Sequence, residues 1–165
     1  MFTRPNAAEH HINNGEQMSE AKTLLKQYLL NFHDVEKISA LFSGNGVFEM
    51  PFLVSLGLPN RFEGPEDIKG RLNTVLGFYP DFEVKAEDIT IHIDAGDQVF
   101  AEYTVHTVAA ATGRLTHHLF TAYLVAKDGK IVRLREALNT VAAASALLPG
   151  GVHDLPAPAD EVHAF

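Results

Sequence analysis

The chain has 165 residues, 46% of them hydrophobic, which is enough to bury one sizeable core and short for two domains. Its 13 Lys and Arg against 21 Asp and Glu give a net charge of −8, which opposes attraction to phosphate backbones and anionic membranes, so neither nucleic acid nor a membrane is an expected partner. With no cysteine, a disulfide framework, a thiol nucleophile and a cysteine-ligated zinc site are excluded.

Residues 1–17 are polar and lack the apolar run of a secretion signal, and no later stretch approaches the roughly 18 apolar residues of a membrane span. A cytoplasmic location is expected. Residues 1–17 and 149–165, rich in Pro, Gly, Ala and polar residues, read as flexible arms around a single domain over 18–148. In SEAKTLLKQYLLNF, Ser19 suits an N-cap, and Leu24, Leu25, Tyr28, Leu29 and Phe32 recur at helical spacing, which predicts a helix with one buried face. A second short helix, DVEKISALF, follows Asp34 as N-cap and ends at Ser43-Gly44. GVFEMPFLV has strand composition, and GPEDIKGRLNTVLGF predicts a third helix with Pro65 in its first turn. From Phe82 on, four β-rich runs are separated by Ala95-Gly96-Asp97, Thr112-Gly113 and Asp128-Gly129, which predicts successive antiparallel hairpins. TVAAASALL predicts a closing helix before Pro149. The order predicts an α+β fold with helices on one face of a curved antiparallel sheet.

The last strand, GKIVRLREALNT, contains an inconsistency. Val132, Leu134, Glu136 and Leu138 share one side of an extended chain, while Arg133, Arg135 and Ala137 share the other. A carboxylate on the apolar side costs several kcal/mol unless it is paired or protonated, and burial raises a carboxyl pKa toward neutrality, where it serves as an acid or base. Glu136 is therefore the first candidate for proton transfer; a carboxylate held structurally by an arginine or a hydroxyl is the alternative. Tight turns at Thr112-Gly113 and Asp128-Gly129 would pair residues whose numbers sum to about 225 and about 257. Glu136 then faces Thr121, and Thr121 faces Thr104. The same face would carry Glu102, His106, His117, Leu119, Tyr123, Leu134 and Leu138, an apolar bowl with polar groups suited to orienting a small ligand. His117 and His106 are candidates to polarise a ligand carbonyl or relay a proton, and Tyr123 and Tyr28 to donate hydrogen bonds to a developing oxyanion. The opposite face, with Tyr103, Val105, Phe120 and Ala122 near Arg133 and Arg135, is too apolar to leave in water, and a two-fold dimer is expected to bury it.

Asp81, after Pro80, suits a turn cap better than a second catalytic carboxylate. His10-His11 and His117-His118 are adjacent pairs, which in a strand point to opposite faces, and no His-x-x-x-His pair occurs, so no metal site is predicted. A Gly-rich phosphate loop and a nucleophile elbow are both missing, so nucleotide binding and serine hydrolysis lack support.

Four stretches, ALFSGNGVFEMPF, RFEGPEDIKGRL, GFYPDFEVKAEDITIHIDAGDQVFAEYTV and DGKIVRLREALNT, resemble the SnoaL-like polyketide cyclases and the phenazine-biosynthesis A/B-type proteins of the nuclear-transport-factor-2-like superfamily, over about residues 18–150. The resemblance implies a cone-shaped, cystatin-like α+β fold whose concave sheet and helices enclose a small-molecule pocket, usually in a homodimer. It also implies that Glu136, in the closing strand's Arg135-Glu136 pair, occupies the place of the cyclases' acid/base residue. Where ketosteroid isomerases of the superfamily carry a carboxylate base near the end of the first strand, this sequence has Met50, so the likeness does not extend to that mechanism. Met50 and the nearby Phe52 are further candidates to line the pocket. Together these readings lead to an enzyme needing no cofactor, a cyclase, isomerase or dehydratase acting on a mostly apolar carbonyl compound. A non-catalytic ligand-binding or accessory protein is the alternative.

Overall fold

The amphipathic run after Ser19 is helical in the computed structural model, which describes residues 18–157. Helix α1 (Glu20–Leu30) starts where the Ser19 hydroxyl accepts from the Lys22 amide, and it buries Leu24, Leu25, Tyr28 and Leu29. Each such leucine removed from water stabilises the fold by about 1.5–3 kcal/mol. Helix α2 (Val35–Ser39) follows Asp34, whose carboxylate accepts from the Lys37 amide. Helix α3 (Gly64–Phe78) carries Pro65 in its first turn, where a missing amide proton leaves nothing unbonded, and α4 (Thr140–Leu147) is capped by Asn139. The strands are β1 (Phe42–Glu49), β2 (Arg61–Glu63), β3 (Ile89–Asp94), β4 (Gln98–Val108), β5 (Leu115–Lys127) and β6 (Lys130–Leu138). Among the described residues no helix is long and apolar enough to cross a membrane.

The strands form one curved, unclosed sheet in the order β2-β1-β6-β5-β4-β3. The expected antiparallel hairpins run from β3 to β6, but β1 lies parallel to β6. Both strands begin at the same end, with Phe42 opposite Ile131, and a parallel pair needs the long connection that β2 through β5 supply. GVFEMPFLV does not stay extended: Pro51 has no amide for the ladder, and residues Pro51–Leu56 turn as a 3-10 helix. The short β2, which the sequence reading missed, pairs with the end of β1.

Two connections set the register: the β5–β6 turn forms as expected but is followed by a bulge, and the β4–β5 connection differs from expectation. Asp128 (φ 52°) and Gly129 (φ 74°) make the tight turn that places Lys127 opposite Lys130. Two residues on, Val132 is an extra residue, a bulge beyond which Arg133 faces Val125 and Glu136 faces Ala122, not Thr121. Between β4 and β5 the connection is residues 109–114 instead of a two-residue turn, so Thr121 faces Glu102 and Thr104 faces Leu119. A slip of two leaves each side chain on its expected face, whereas the single-residue bulge puts Glu136 on the face opposite Thr121.

The inner face carries Val99, Ala101, Tyr103 and Val105 of β4, Phe120, Ala122 and Leu124 of β5, and Leu134 and Glu136 of β6, all buried. Helix α1 packs across β4, β5 and β6, α3 packs on β1, and α4 on β5. The expectation that Tyr103, Val105, Phe120 and Ala122 form a face left open for a partner is therefore corrected: they are core residues under the helices. Residues 1–17 and 158–165, expected as arms, lie outside the described residues. The stretch 149–157, expected as tail, includes a 3-10 turn at Gly151–Asp154. Just before it, Arg114 donates to the carbonyls of Ser145 (2.8 Å), Leu148 (2.9 Å) and Pro149 (2.8 Å), which fixes the C-terminal end of α4 over the sheet.

Candidate active site

Where α1, α3 and α4 stand off the inner face of the sheet, they leave a cavity walled by apolar side chains, among them Phe48, Leu53, Phe82, Phe120, Leu138 and Leu147. Its volume is about 40 Å³, measured as space open to the centre of a water molecule, and about 550 Å³ of atom-free space when the mouth is counted. Leu56, Leu58, Phe78 and Leu147 also line a second apolar recess, which adjoins the cavity between the Pro51–Leu56 turn, the end of α3 and α4. A narrow apolar cleft with few polar groups orients a small ligand through those groups.

Glu136 is one of them, and the residue is only 3% exposed. The Tyr103 hydroxyl donates to its Oε1 at 2.8 Å, and the Tyr28 hydroxyl approaches Oε2 at 3.5 Å. Burial raises the carboxyl most; the Tyr103 hydrogen bond, the Arg71 charge and the Tyr28 hydrogen bond pull it down, and the result is a pKa of about 7. Burial and the adjacent carboxylate push both tyrosine hydroxyls well above their ordinary value, so they remain donors. The group thus changes protonation near neutral pH in a largely apolar site.

Two further polar groups line the same cavity. Arg71, on α3, is 8% exposed; one Nη2 approaches the Met50 sulfur at 3.5 Å, its guanidinium sits 5.7 Å from the Phe62 ring centroid, and its Nε has no partner. The Tyr79 hydroxyl lies 3.0 Å from Nε2 of His118, which is 1% exposed. Burial pushes Tyr79 up to about 12 and lowers His118, so the pair is neutral at pH 7. Sequence reasoning missed Arg71, Tyr79, Tyr103 and His118. For Arg71 a signal existed: Ile68, Leu72 and Val75 share its helical face, so a cation stands on an apolar stripe, just as Glu136 does on its strand.

Of the residues expected in the pocket, Glu136, Tyr28, Met50 and Leu138 line the cavity. His117, His106, Tyr123, Thr121, Thr104, Glu102 and Leu119 do not; the Val132 bulge separates their face from that of Glu136, and they lie on the outer side of the sheet. There, His106 and His117 pack edge to face at 4.3 Å, Glu102 meets His92 at 3.0 Å, and Tyr123 donates to Gln98 at 2.6 Å. Phe52 is 45% exposed and borders a groove on that outer side with Thr121, Tyr123 and Arg135. Asp81 accepts from the Thr107 hydroxyl (2.5 Å) and the Val108 amide (3.1 Å), a link between turn and strand. Glu49, beside Met50, points outward to Arg133 and Arg61, each at 2.7 Å. Among the described residues no group of three His, Cys, Asp or Glu could hold a metal ion.

The profile of the SnoaL-like domain matches residues 26–134, more than half of the chain. The chain belongs to the SnoaL-like domain family. Among solved structures, this SnoaL-like protein is similar to a candidate isomerase from Bacillus subtilis (25% identity, 77% of this chain and 91% of that one, TM-score 0.64). It is also similar to a phenazine biosynthesis-related protein from Pseudomonas aeruginosa (19% identity, 88% and 92%, TM-score 0.66) and a candidate polyketide cyclase from Xanthomonas campestris (22% identity, 73% and 91%, TM-score 0.62). At those identities the last two likenesses establish the fold. Among curated proteins no significant sequence match is found.

Proposed function

We propose that this SnoaL-like protein is a cofactor-independent cyclase, isomerase or dehydratase in which Glu136 moves a proton beside a carbonyl of a mostly apolar substrate. The observation that supports it best is the carboxyl of a residue only 3% exposed, in a largely apolar cavity, held by two tyrosine hydroxyls and balanced at a pKa of about 7. A group so balanced can accept a proton and return it at one pH. In the step envisaged, a C–H bond next to the carbonyl breaks, its proton passes to a Glu136 oxygen, and the electron pair moves onto the carbonyl oxygen as an enolate. Return of the proton to another atom, or attack of the enolate carbon on a second carbonyl, would give isomerisation or ring closure. Tyr103 holds the carboxyl in place, which is its role as a positioning residue.

The same proposal includes a two-fold homodimer over the outer sheet face, where Leu115 is 66% and Leu119 52% exposed. For the chemistry, the test is deuterium uptake by 2-indanone in D2O, followed by NMR. The protein should speed exchange above buffer, with a rate that climbs as Glu136 ionises near pH 7, and Glu136→Gln should reduce it to the buffer rate. Equal rates in parent and variant would leave a ligand-binding role for the cavity instead.

A further inference from the structure

We propose that Arg71 is the anchor for an anionic oxygen group on the ligand, so that the cavity takes a flat, largely apolar small molecule carrying a carboxylate or an equally acidic oxygen. Arg71 projects from the inward stripe of α3 between Ile68 and Leu72, both fully buried, into a cavity whose other polar groups are the Glu136 carboxyl and the hydroxyls of Tyr28, Tyr79 and Tyr103, the rest being hydrocarbon and rings. A guanidinium is charged at every working pH and presents five donors in a planar fork. Here the fork is almost empty: Nη2 approaches only a thioether sulfur, a weak acceptor, at 3.5 Å, Nε has no partner, and Arg71 takes part in no ion pair among the described residues. The Phe62 ring face at 5.7 Å supplies part of the missing stabilisation.

Glu136 is not the missing counter-ion. The two side chains line the same cavity and sense each other's charge, yet no nitrogen of one comes within ion-pair distance of an oxygen of the other, and the Glu136 oxygens are already engaged by Tyr103 and Tyr28. A buried cation with unused donors favours an arriving anion over a neutral group of the same shape, because only the anion both fills the fork and neutralises the charge. Arg71 is then a specificity-determining residue: it would fix one end of the ligand while Glu136 works at another.

This inference rests on the acid/base reading of the same cavity, but a separate measurement tests it. Benzoate and benzamide have nearly the same shape and differ in charge, and each can be titrated into the full chain at pH 6 with calorimetry. The protein should bind benzoate about tenfold or more tightly than benzamide, and Arg71→Met should bring that ratio to within about twofold of unity. Arg71→Lys, which keeps the charge and is the milder change for folding, should keep part of the preference. The chain's four tyrosines give the location: with labelled tyrosine rings, benzoate should shift the NMR signals of Tyr28, Tyr79 and Tyr103 in the cavity and leave Tyr123 on the outer face unmoved. Equal affinities for the two probes in the parent, a preference that survives Arg71→Met, or a shift confined to Tyr123 would each overturn the assignment. Loss of the acid/base reading shows differently, as indanone exchange unaffected by Glu136→Gln; a benzoate preference that persists beside that result would still support Arg71 as the anion anchor.

Discussion

Replacing Glu136 by Gln keeps the shape of the side chain and removes its charge, and the resulting change in stability should depend on pH in a defined direction. Burial lifts the carboxyl from 4.5 to about 7 in the folded chain, net of the opposing pull of Tyr103, Arg71 and Tyr28. Between those two values the folded state still holds the proton that the unfolded state has lost, so stability falls as pH rises. The contribution is fully present below the unfolded value and gone once pH has passed the folded one. Each pH unit in the window is worth about 1.4 kcal/mol, which amounts to about 3 kcal/mol in all. The Gln variant has no proton to lose. It should lie within about 1 kcal/mol of the parent near pH 5 and exceed it by about 3 kcal/mol at pH 8, or about 6–12 °C in melting temperature for a chain of this length. Urea unfolding of both proteins at the two pH values measures this, and taking the difference between them cancels every other titrating group, including buried His118. A variant less stable than its parent at pH 8, by the roughly 1.5–3 kcal/mol that a lost charge-assisted hydrogen bond costs, would mean that Glu136 is ionised in the folded state and held by Arg71 and the tyrosines for structure alone.

Tyr103→Phe removes the hydroxyl 2.8 Å from Glu136, a bond that favours the ionised form, so the carboxyl pKa should rise further and the pH profile of indanone exchange should move to higher pH. Tyr28→Phe, which loses only a 3.5 Å contact, should move the profile less. For assembly, sedimentation of the parent should give about twice the 18.1 kDa chain mass, and Leu119→Glu on the outer face should return it to the monomer; a parent that sediments only as the monomer would remove the dimer proposal.

Features confined to one element were legible in the sequence. Ser19, Asp34 and Pro65 mark helix starts because a cap or a prolyl ring acts within one turn of its own position, and α1 and α3 form where those signals place them. Glu136 turns inward because Leu134 and Leu138, two residues to either side, do so. The inner face of β4 was also legible in principle, since Val99, Ala101, Tyr103 and Val105 alternate with Gln98, Phe100, Glu102, Thr104 and His106, a set polar at every position but Phe100. A pocket built on the polar set instead would have required the helices to cover the less apolar side of the sheet, against the larger gain from burying the other.

The partners of Glu136 could not be read in the same way. They depend on alignment between elements, and that alignment turns on Val132, an ordinary valine whose role as a bulge appears only when β6 is laid against β5. It also turns on residues 109–114, where the Ala109 amide bonds the Arg114 carbonyl and the Gly113 amide bonds the Ala109 carbonyl, a closure that the Thr112-Gly113 pair alone does not specify. Once the bulge is in place, Tyr103 rather than Thr104 reaches the carboxyl, and hydroxyls from β4 and α1 converge on a group from β6. A charged residue out of place on its own helix or strand is thus visible one element at a time, and Arg71 and Glu136 both pass that test. What they face one another across is decided by long-range packing, because a one-residue change in register exchanges the buried and solvent sides of everything beyond it.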